Sequence, residues 1–247
     1  MNGLFGSWGR SWLMSPRAFQ YACAASGILS AITGAAAFIT SGFLPPMRPD
    51  WTAEETVQSY RDHHKGIQAG ASLLIVSGMF FLPLTAGIFS QMRRIPNLHS
   101  AVPALQLGSG AAAIFAFMMP GVILASANFR LDRPVEITQA LNELFWLTVM
   151  MPWQPLMMQS FALAYAVIAD TRPKPLYPKP MAIVNIVAPI VYIPPLTVHC
   201  FTTGLLAWNS VFSFWVPSIA CVIQLLVDSV YLAKAANEET EAIEKEC

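Results

Sequence analysis

Hydrophobic residues along this chain are concentrated in six long runs separated by short polar stretches. The runs cover residues 18–44, 66–89, 101–127, 144–169, 181–206 and 211–233. Each run is long enough to cross a bilayer as an α-helix, which needs about 20 mostly apolar residues. The pattern therefore predicts an all-α fold, a polytopic transmembrane helical bundle of six spans, with a seventh if residues 4–14 enter the membrane.

The polar stretches divide the chain into three parts. Residues 1–17 form an amphipathic N-terminal segment, residues 18–233 the bundle, and residues 234–247 an acidic tail. Within the first polar loop, Thr52 followed by Glu55 predicts a capping box that opens a short helix. Pro194 and Pro195 are expected to break or kink the fifth span, because each removes a backbone hydrogen-bond donor.

Basic residues in the loops predict the orientation, because cytoplasmic loops carry an excess of Lys and Arg. A cytoplasmic N-terminus places nine of them on that side and five on the other. The nine are Arg10, Arg17, Arg93, Arg94, Arg172, Lys174, Lys179, Lys234 and Lys245, and the five are Arg48, Arg61, Lys65, Arg130 and Arg133. Both termini are therefore expected in the cytoplasm, with the chain in a plasma membrane or the endoplasmic reticulum.

Composition agrees with a membrane protein and argues against several other classes. The chain is 55% hydrophobic and 11% charged, whereas soluble domains average about 25% charged residues. A net charge of zero offers no basic footprint for nucleic acid. No nucleotide-binding loop or zinc motif occurs, and the adjacent His63 and His64 diverge on a helix. We expect neither a metal nor a cofactor.

An acid inside the last run is the first candidate for chemistry. Asp228 belongs to a stripe at helical spacing that also holds Ser218, Cys221, Gln224 and Tyr231. Because an ionisable group in a membrane span is costly, the stripe is expected to face the bundle interior or a wet cavity. Asp228 could act as a proton donor there. The alternative is a structural ion pair with Arg93, Arg94 or Lys234.

Further candidates surround the outer loops. The secondary acids are Glu143 and Asp62, and the residues expected to wall a substrate pocket are Trp146, Trp153, Trp208, Trp215, Gln224 and His199. Aromatic faces stabilise cations, and a carboxylic acid kept neutral by its surroundings can deliver a proton. The alternative for the tryptophans is an interfacial aromatic belt. The orientation puts Asp62 and Asp228 on opposite sides, so they cannot share one site.

Two resemblances add to these observations. The segments SQMRRI at 90–95, FRLDRPVEITQALNELFWL at 129–147 and FTTGLLAWNSVFSFW at 201–215 resemble a family of uncharacterised actinobacterial membrane proteins. In size, helix density and its acids near the second and in the last run (Asp62 or Glu55, and Asp228), the chain resembles the small integral-membrane terpene cyclases of fungal meroterpenoid pathways. That resemblance implies about seven helices and membrane-embedded acids that protonate an epoxide or olefin.

These observations favour a membrane enzyme that cyclises or isomerises a lipophilic prenylated substrate by acid catalysis. Asp228 is the first candidate for the acid, followed by Glu143 and Asp62. The expected partners are that lipophilic small molecule and the lipid bilayer, with no nucleic acid. A membrane carrier or channel for a small solute and a non-catalytic membrane subunit are the alternatives.

Overall fold

The computed structural model describes the backbone of residues 14–246 and the side chains of residues 14–237, and this part of the chain is helical with connecting loops. Most of the predicted N-terminal segment, and the side chains of most of the acidic tail, lie outside these residues. The helices are α1 (Pro16–Thr40), α2 (Ala53–Asp62), α3 (His64–Met92), α4 (Ala101–Phe129), α5 (Val135–Met150), α6 (Gln154–Ala169), α7 (Lys179–Val191) and α8 (Val216–Glu246).

Helix α3 occupies the centre of the bundle, with α1 and α4 packed along it. Helix α8 packs on α1, α6 packs on α4, and α7 lies between α6 and α8. We call the end where α1 begins and α3 ends the near end, and the end where α1 ends and α3 begins the far end. At the near end, Arg17 Nη2 donates to Asn237 Oδ1 over 2.8 Å and Gln20 Nε2 to Ser90 Oγ over 3.1 Å.

Within the described residues, five helical segments are long and apolar enough to cross a membrane. They are Pro16–Thr40, His64–Met92, Ala101–Phe129, Lys179–Cys200 and Val211–Asn237. The predicted fourth span, 144–169, is not one continuous helix, because the chain leaves helical geometry between Met150 and Gln154. Pro152 and Pro155 lie at this break, and proline prevents continuous helical hydrogen bonding.

Two other helix irregularities occur toward the far end. Helix α7 ends at Val191 and is followed by a 3₁₀ helix, Pro194–Cys200, which confirms the break expected at Pro194 and Pro195. A π-helical turn, Val211–Trp215, precedes α8. Turns of this kind inside longer helices often mark functional sites.

The polar loop before α3 folds as its sequence predicts. Thr52 Oγ1 accepts from the backbone N–H of Glu55, and a Glu55 carboxylate oxygen accepts from the backbone N–H of Thr52. This reciprocal capping box opens α2 and satisfies two backbone donors at the helix start. Helix α2 then packs on α5, where the Tyr60 hydroxyl donates to Asn142 Oδ1 over 3.1 Å.

Candidate functional site

Asp228 lies in a buried cluster of hydrogen-bonded polar side chains contributed by α6, α7 and α8. Asn185 Nδ2 donates to Asp228 Oδ1 over 2.9 Å, and Gln224 Nε2 donates to Asn185 Oδ1 over 3.0 Å. Gln224 Nε2 also approaches Ser160 Oγ to 2.5 Å, and the Tyr192 hydroxyl donates to Gln224 Oε1 over 2.7 Å. Each polar side chain of the cluster therefore compensates the burial of another.

The helical spacing in α8 accounts for the place of the acid in this cluster. Cys221, Gln224 and Asp228 are three and four residues apart, and all three are buried. The middle of the predicted polar stripe therefore faces the bundle interior, whereas its ends, Ser218 and Tyr231, are half-buried. The ion pairs among the described side chains join Arg48 with Asp50 and Arg172 with Asp170, so Asp228 takes part in none of them. The alternative interpretation predicted an ion pair of Asp228 with Arg93, Arg94 or Lys234, but its direct partner is Asn185.

A small cavity adjoins the carboxyl group of Asp228. Its volume is about 10 Å³, and Gln159, Ser160, Asn185 and Gln224 supply the other polar parts of its wall. This volume is close to the minimum that holds one water molecule. Asn185 bonds to Oδ1 only, which leaves Oδ2 of Asp228 without a partner among the described side chains.

A much larger cavity of about 340 Å³ lies on the far-end side of the Asp228 cluster. Its wall is mostly apolar and comes from α1, α3, α4, the α5–α6 break, the π-helical turn and α8. Small residues of α1 and α4, such as Gly34 and Ala113, leave the space open. The volume falls at the low end of the range for ligand pockets, about 300 to 1,000 Å³.

The large cavity and the small cavity share part of their walls. Leu156, Cys221 and Leu225 line both of them. The carboxyl group of Asp228 is therefore one layer of side chains away from an apolar chamber that could hold a ligand. In this layer Leu156 and Leu225 have hydrocarbon side chains, and the Cys221 thiol shares a side-chain hydrogen bond with Tyr192.

The rim of the large cavity lies on the side of the bundle. Ala35 and Leu44 on the α1 side, and Trp215, Ile219 and Ile223 on the α8 side, line the cavity and are also exposed. All five are apolar, as expected of a surface that contacts acyl chains. The cavity therefore opens sideways between α1 and α8, within the apolar part of these two candidate spans.

The predicted tryptophans separate into two groups. Trp153 and Trp215 line the large cavity. Trp146 and Trp208 instead stack on each other, with ring centroids 6.2 Å apart and planes 5° apart, inside a packed aromatic core at the far end. The indole N–H of Trp208 donates to the backbone oxygen of Met47 over 2.8 Å. These two side chains are therefore part of the core.

The secondary acids and His199 lie away from the Asp228 cluster. Glu143 is exposed on α5, and His199 is exposed in the 3₁₀ helix, with Nε2 3.3 Å from Cys200 Sγ. Asp62 ends α2 at the far end and accepts from Gln58 Nε2 over 2.8 Å. Asp228 lies at about the same height in the bundle as Leu84 of α3, because Leu84 and Ser229, the residue after Asp228, both lie against Gly27 of α1. Leu84 is roughly 30 Å along α3 from its start beside Asp62.

Three residues of the cluster were missed by sequence reasoning. Ser160, Asn185 and Tyr192 are polar groups inside predicted spans, and this was the available signal. They come from α6, from α7 and from the residue that follows α7, so their spacing along the chain gives no common stripe. Their convergence on Gln224 and Asp228 depends on how α6, α7 and α8 pack.

Outside the candidate spans, the pKa values of Asp170 and Tyr177 near the near end are shifted. The guanidinium of Arg172 and the backbone N–H groups of Leu176 and Arg172 lower the pKa of Asp170 to about 2, although burial opposes this. Burial raises the pKa of the Tyr177 phenol, with a smaller contribution in the same direction from Asp228, while Arg94 opposes it. Tyr177 is therefore neutral at physiological pH.

The described residues contain no group of three or more His, Cys, Asp and Glu side chains that could hold a metal ion. Comparison with known proteins adds no relative: no family model, no curated protein and no solved structure matches the chain. The apolar helices identify a multi-pass membrane protein. Its candidate site is the Asp228 cluster together with the large cavity.

Proposed function

We propose that this chain is an integral membrane enzyme that cyclises or isomerises a lipophilic, prenylated substrate by acid catalysis. One observation carries the proposal. The apolar cavity of about 340 Å³ and the small cavity beside the buried Asp228 share a wall, which consists of Leu156, Cys221 and Leu225. The substrate occupies the large cavity. Asp228, in its neutral form, is the proton donor.

The chemistry requires only a proton and aromatic surroundings. The carboxylic acid of Asp228 transfers its proton to a carbon–carbon double bond or an epoxide oxygen of the substrate, leaving a carboxylate and a carbocation. Attack by a second double bond forms a ring. A neighbouring carbon then loses a proton to water and an olefin is regenerated, while Asp228 takes up a proton from water, so the product has the mass of the substrate. Trp153 and Phe117 line the cavity and can stabilise the cation through their ring faces.

Asn185 positions the acid in this scheme. Its amide donates to Oδ1 of Asp228, so Oδ2 remains available to carry the proton. Transfer requires the side chain of Cys221, Leu156 or Leu225 to rotate, because these three separate the carboxyl group from the large cavity. Glu143 and Asp62 receive no role in protonation, since both are exposed and Asp62 is at the opposite end of α3.

In the membrane, we propose six crossings with the near end in the cytoplasm. Helices α5 and α6 both pack along α4, which supports treating them as one broken crossing. At about 1.5 Å per residue, each 16-residue helix alone is about 24 Å long, shorter than the hydrocarbon core of about 30 Å. The excess of basic residues at the near end supports this orientation.

The test is turnover of a panel of prenylated aromatic and polyprenyl substrates by the purified protein in lipid nanodiscs. The proposal predicts a product of unchanged mass from the wild type and none from Asp228→Asn. Asp62→Asn and Glu143→Gln are matched controls, because each removes an exposed carboxylate, and both should retain activity. Full activity of Asp228→Asn would remove the acid from the mechanism.

A carrier for a small solute is the second candidate. The observation that favours it is the set of helix breaks at Met150–Gln154, at Tyr192–Ile193 and in the π-helical turn, since interrupted helices commonly line transport sites. Proteoliposomes that move a solute without changing it chemically, with flux lost in Asp228→Asn, would support the carrier over the enzyme.

A further inference from the structure

A series of buried carboxamides extends from the near end of the bundle toward Asp228. Gln106 Nε2 of α4 donates to the backbone oxygen of Thr85 over 3.4 Å, and Gln159 Nε2 of α6 donates to Thr85 Oγ1 over 3.2 Å. Gln106 and Thr85 are 0% exposed and Gln159 is 5% exposed. Side chains from three helices are therefore connected by hydrogen bonds in an otherwise apolar interior. We call this series, Gln106, Thr85 and Gln159, the polar line.

The two ends of this line have different surroundings. Gln106 is five residues into α4, which begins at Ala101, so it lies about 8 Å from the near end. Gln159 lines the same small cavity as Asp228. The line thus connects the vicinity of the near-end surface with the chamber of the buried acid.

The carboxamide oxygens along this line have unused acceptor capacity. Oε1 of Gln106 and Oε1 of Gln159 are buried and lack a hydrogen-bond partner, as does the hydroxyl of Tyr177 on the same side of the bundle. A buried acceptor without a partner destabilises the fold. Ordered water usually satisfies such groups in proteins, and the cavity beside Asp228, at about 10 Å³, is at the lower limit for one water molecule.

Glycine at position 110 of α4 lets Thr85 and Gln159 lie directly against this helix. A Cβ atom placed there would lie 2.6 Å from Thr85 Oγ1 and 2.8 Å from Gln159 Oε1. Both distances are far below van der Waals contact. Any larger residue would push Thr85 or Gln159 out of the line, so the close approach of α3, α4 and α6 at this point depends on the missing side chain.

We propose that Gln106, Thr85 and Gln159 form a water-mediated proton path that connects the near end with Asp228. This inference rests on the role of Asp228 as the acid in the proposed function. A proton passes from water near Gln106 through hydrogen-bonded water at Gln159 to the Asp228 carboxylate, which becomes a carboxylic acid. The carboxamides do not titrate, and they orient the water by accepting its O–H groups.

Few ionisable groups compete with Asp228 along this path. The titratable side chains electrostatically coupled to Asp228 are Tyr177 before α7, Tyr192 after it and Cys221 on α8, and the guanidinium of Arg94 on the near-end side acts on Tyr177. Asn185, the direct partner of Asp228, does not titrate. A carboxyl group is by nature a much stronger acid than a phenol or a thiol, so Asp228 is the strongest acid of this set.

The path is tested by the rate at which Asp228 exchanges its proton, measured without substrate. Infrared spectroscopy of the protein in nanodiscs follows the carboxyl bands after a pH jump or transfer to D₂O, and the Asp228 band is the one missing in Asp228→Asn. Gln106→Leu and Gln159→Leu should each slow exchange by about tenfold or more, because an apolar side chain leaves the passing water without an acceptor.

Thr138→Val is the matched control. Thr138 Oγ1 is also buried without a partner, but it lies on α5, which begins at the far end, so its loss should leave the exchange rate unchanged. Each glutamine variant loses the hydrogen bond that its Nε2 donates to Thr85, so a moderate loss of stability is expected. Thermal unfolding checks that all three variants fold.

A second measurement uses the unaltered protein. In proteoliposomes of one orientation, a pH jump on the near-end side should change the Asp228 band quickly, and a jump on the far-end side should not. Wild-type exchange rates in both glutamine variants would overturn the path, as would a response to the far-end side alone or no titrating Asp228 band at any accessible pH. An active enzyme with far-end exchange would refute the path while retaining the proposed function.

Discussion

The amide of Asn185 on α7 donates to the carboxyl group of Asp228 on α8 over 2.9 Å, and both residues are buried. No other polar contact of the carboxyl group is given by the described side chains. The side chain that determines how the acid is oriented is therefore neutral. With a neutral amide as its partner, the acid can be either ionised or neutral, whereas a cationic partner would favour the ionised form.

Removing this amide should be more damaging to stability than neutralising the acid. Asn185→Leu leaves the Asp228 carboxyl buried without its donor and is expected to lower the free energy of unfolding by about 1 to 3 kcal/mol. Asp228→Asn retains an acceptor oxygen and should cost less. Thermal unfolding in detergent of Asn185→Leu, Asp228→Leu and the double variant gives the coupling energy, because each of these two substitutions removes the contact. A coupling energy near zero would contradict the contact.

Filling the large cavity should abolish turnover without destabilising the protein. Ala116 on α4 lines the cavity, so Ala116→Leu places added atoms where the substrate would bind. Burying the added methylene groups contributes about 0.8 kcal/mol each if they fit without strain. Ala112→Leu, on the exposed side of the same helix, is the control and should leave turnover intact. Equal activity of both variants would exclude the cavity as the substrate site.

The sequence predicts those parts of the site that lie on one helix. The stripe of α8 that contains Gln224 and Asp228 can be read from spacing alone, as can the capping box of Thr52 and Glu55. The partners on α6 and α7 cannot, because Ser160 and Asn185 are isolated polar residues whose facing depends on tertiary packing. The same reason applies to Trp146, whose neighbour Trp208 is distant in sequence. Pro152 and Pro155 indicate the break after Met150, but the hydrophobic pattern alone predicts one continuous span over residues 144–169.

The two groups of tryptophans should respond differently to truncation. Trp146 is 0% exposed and packed in the aromatic core, so Trp146→Ala should cost about 3 to 5 kcal/mol of stability. Trp215 is 36% exposed on the rim of the large cavity, so Trp215→Ala should cost much less and mainly change the Michaelis constant. Chemical denaturation and steady-state kinetics separate the two effects. A Trp146→Ala variant as stable as the wild type would contradict the packing.

The loop between α6 and α7 should lose stability in acid. The folded-state pKa of Asp170, about 2, lies below its unfolded value of about 3.9. The contribution is therefore complete above about pH 4 and is lost as the pH falls toward 2. Its size is about 1 kcal/mol, because solvent around the partly exposed Arg172 weakens the pair. The melting temperatures of the wild type and Asp170→Asn should differ at pH 7 and converge near pH 2. A constant difference would contradict this.

The most direct test of the account is the origin of the proton that the product acquires. Turnover of an olefin substrate in D₂O by the wild-type protein in nanodiscs, followed by mass spectrometry, should give a cyclised or isomerised product carrying one non-exchangeable deuteron on the protonated carbon, because Asp228 exchanges with solvent before each reaction. Asp228→Asn should give no product. A product formed without deuterium, or formed equally well by Asp228→Asn, would contradict acid catalysis by Asp228.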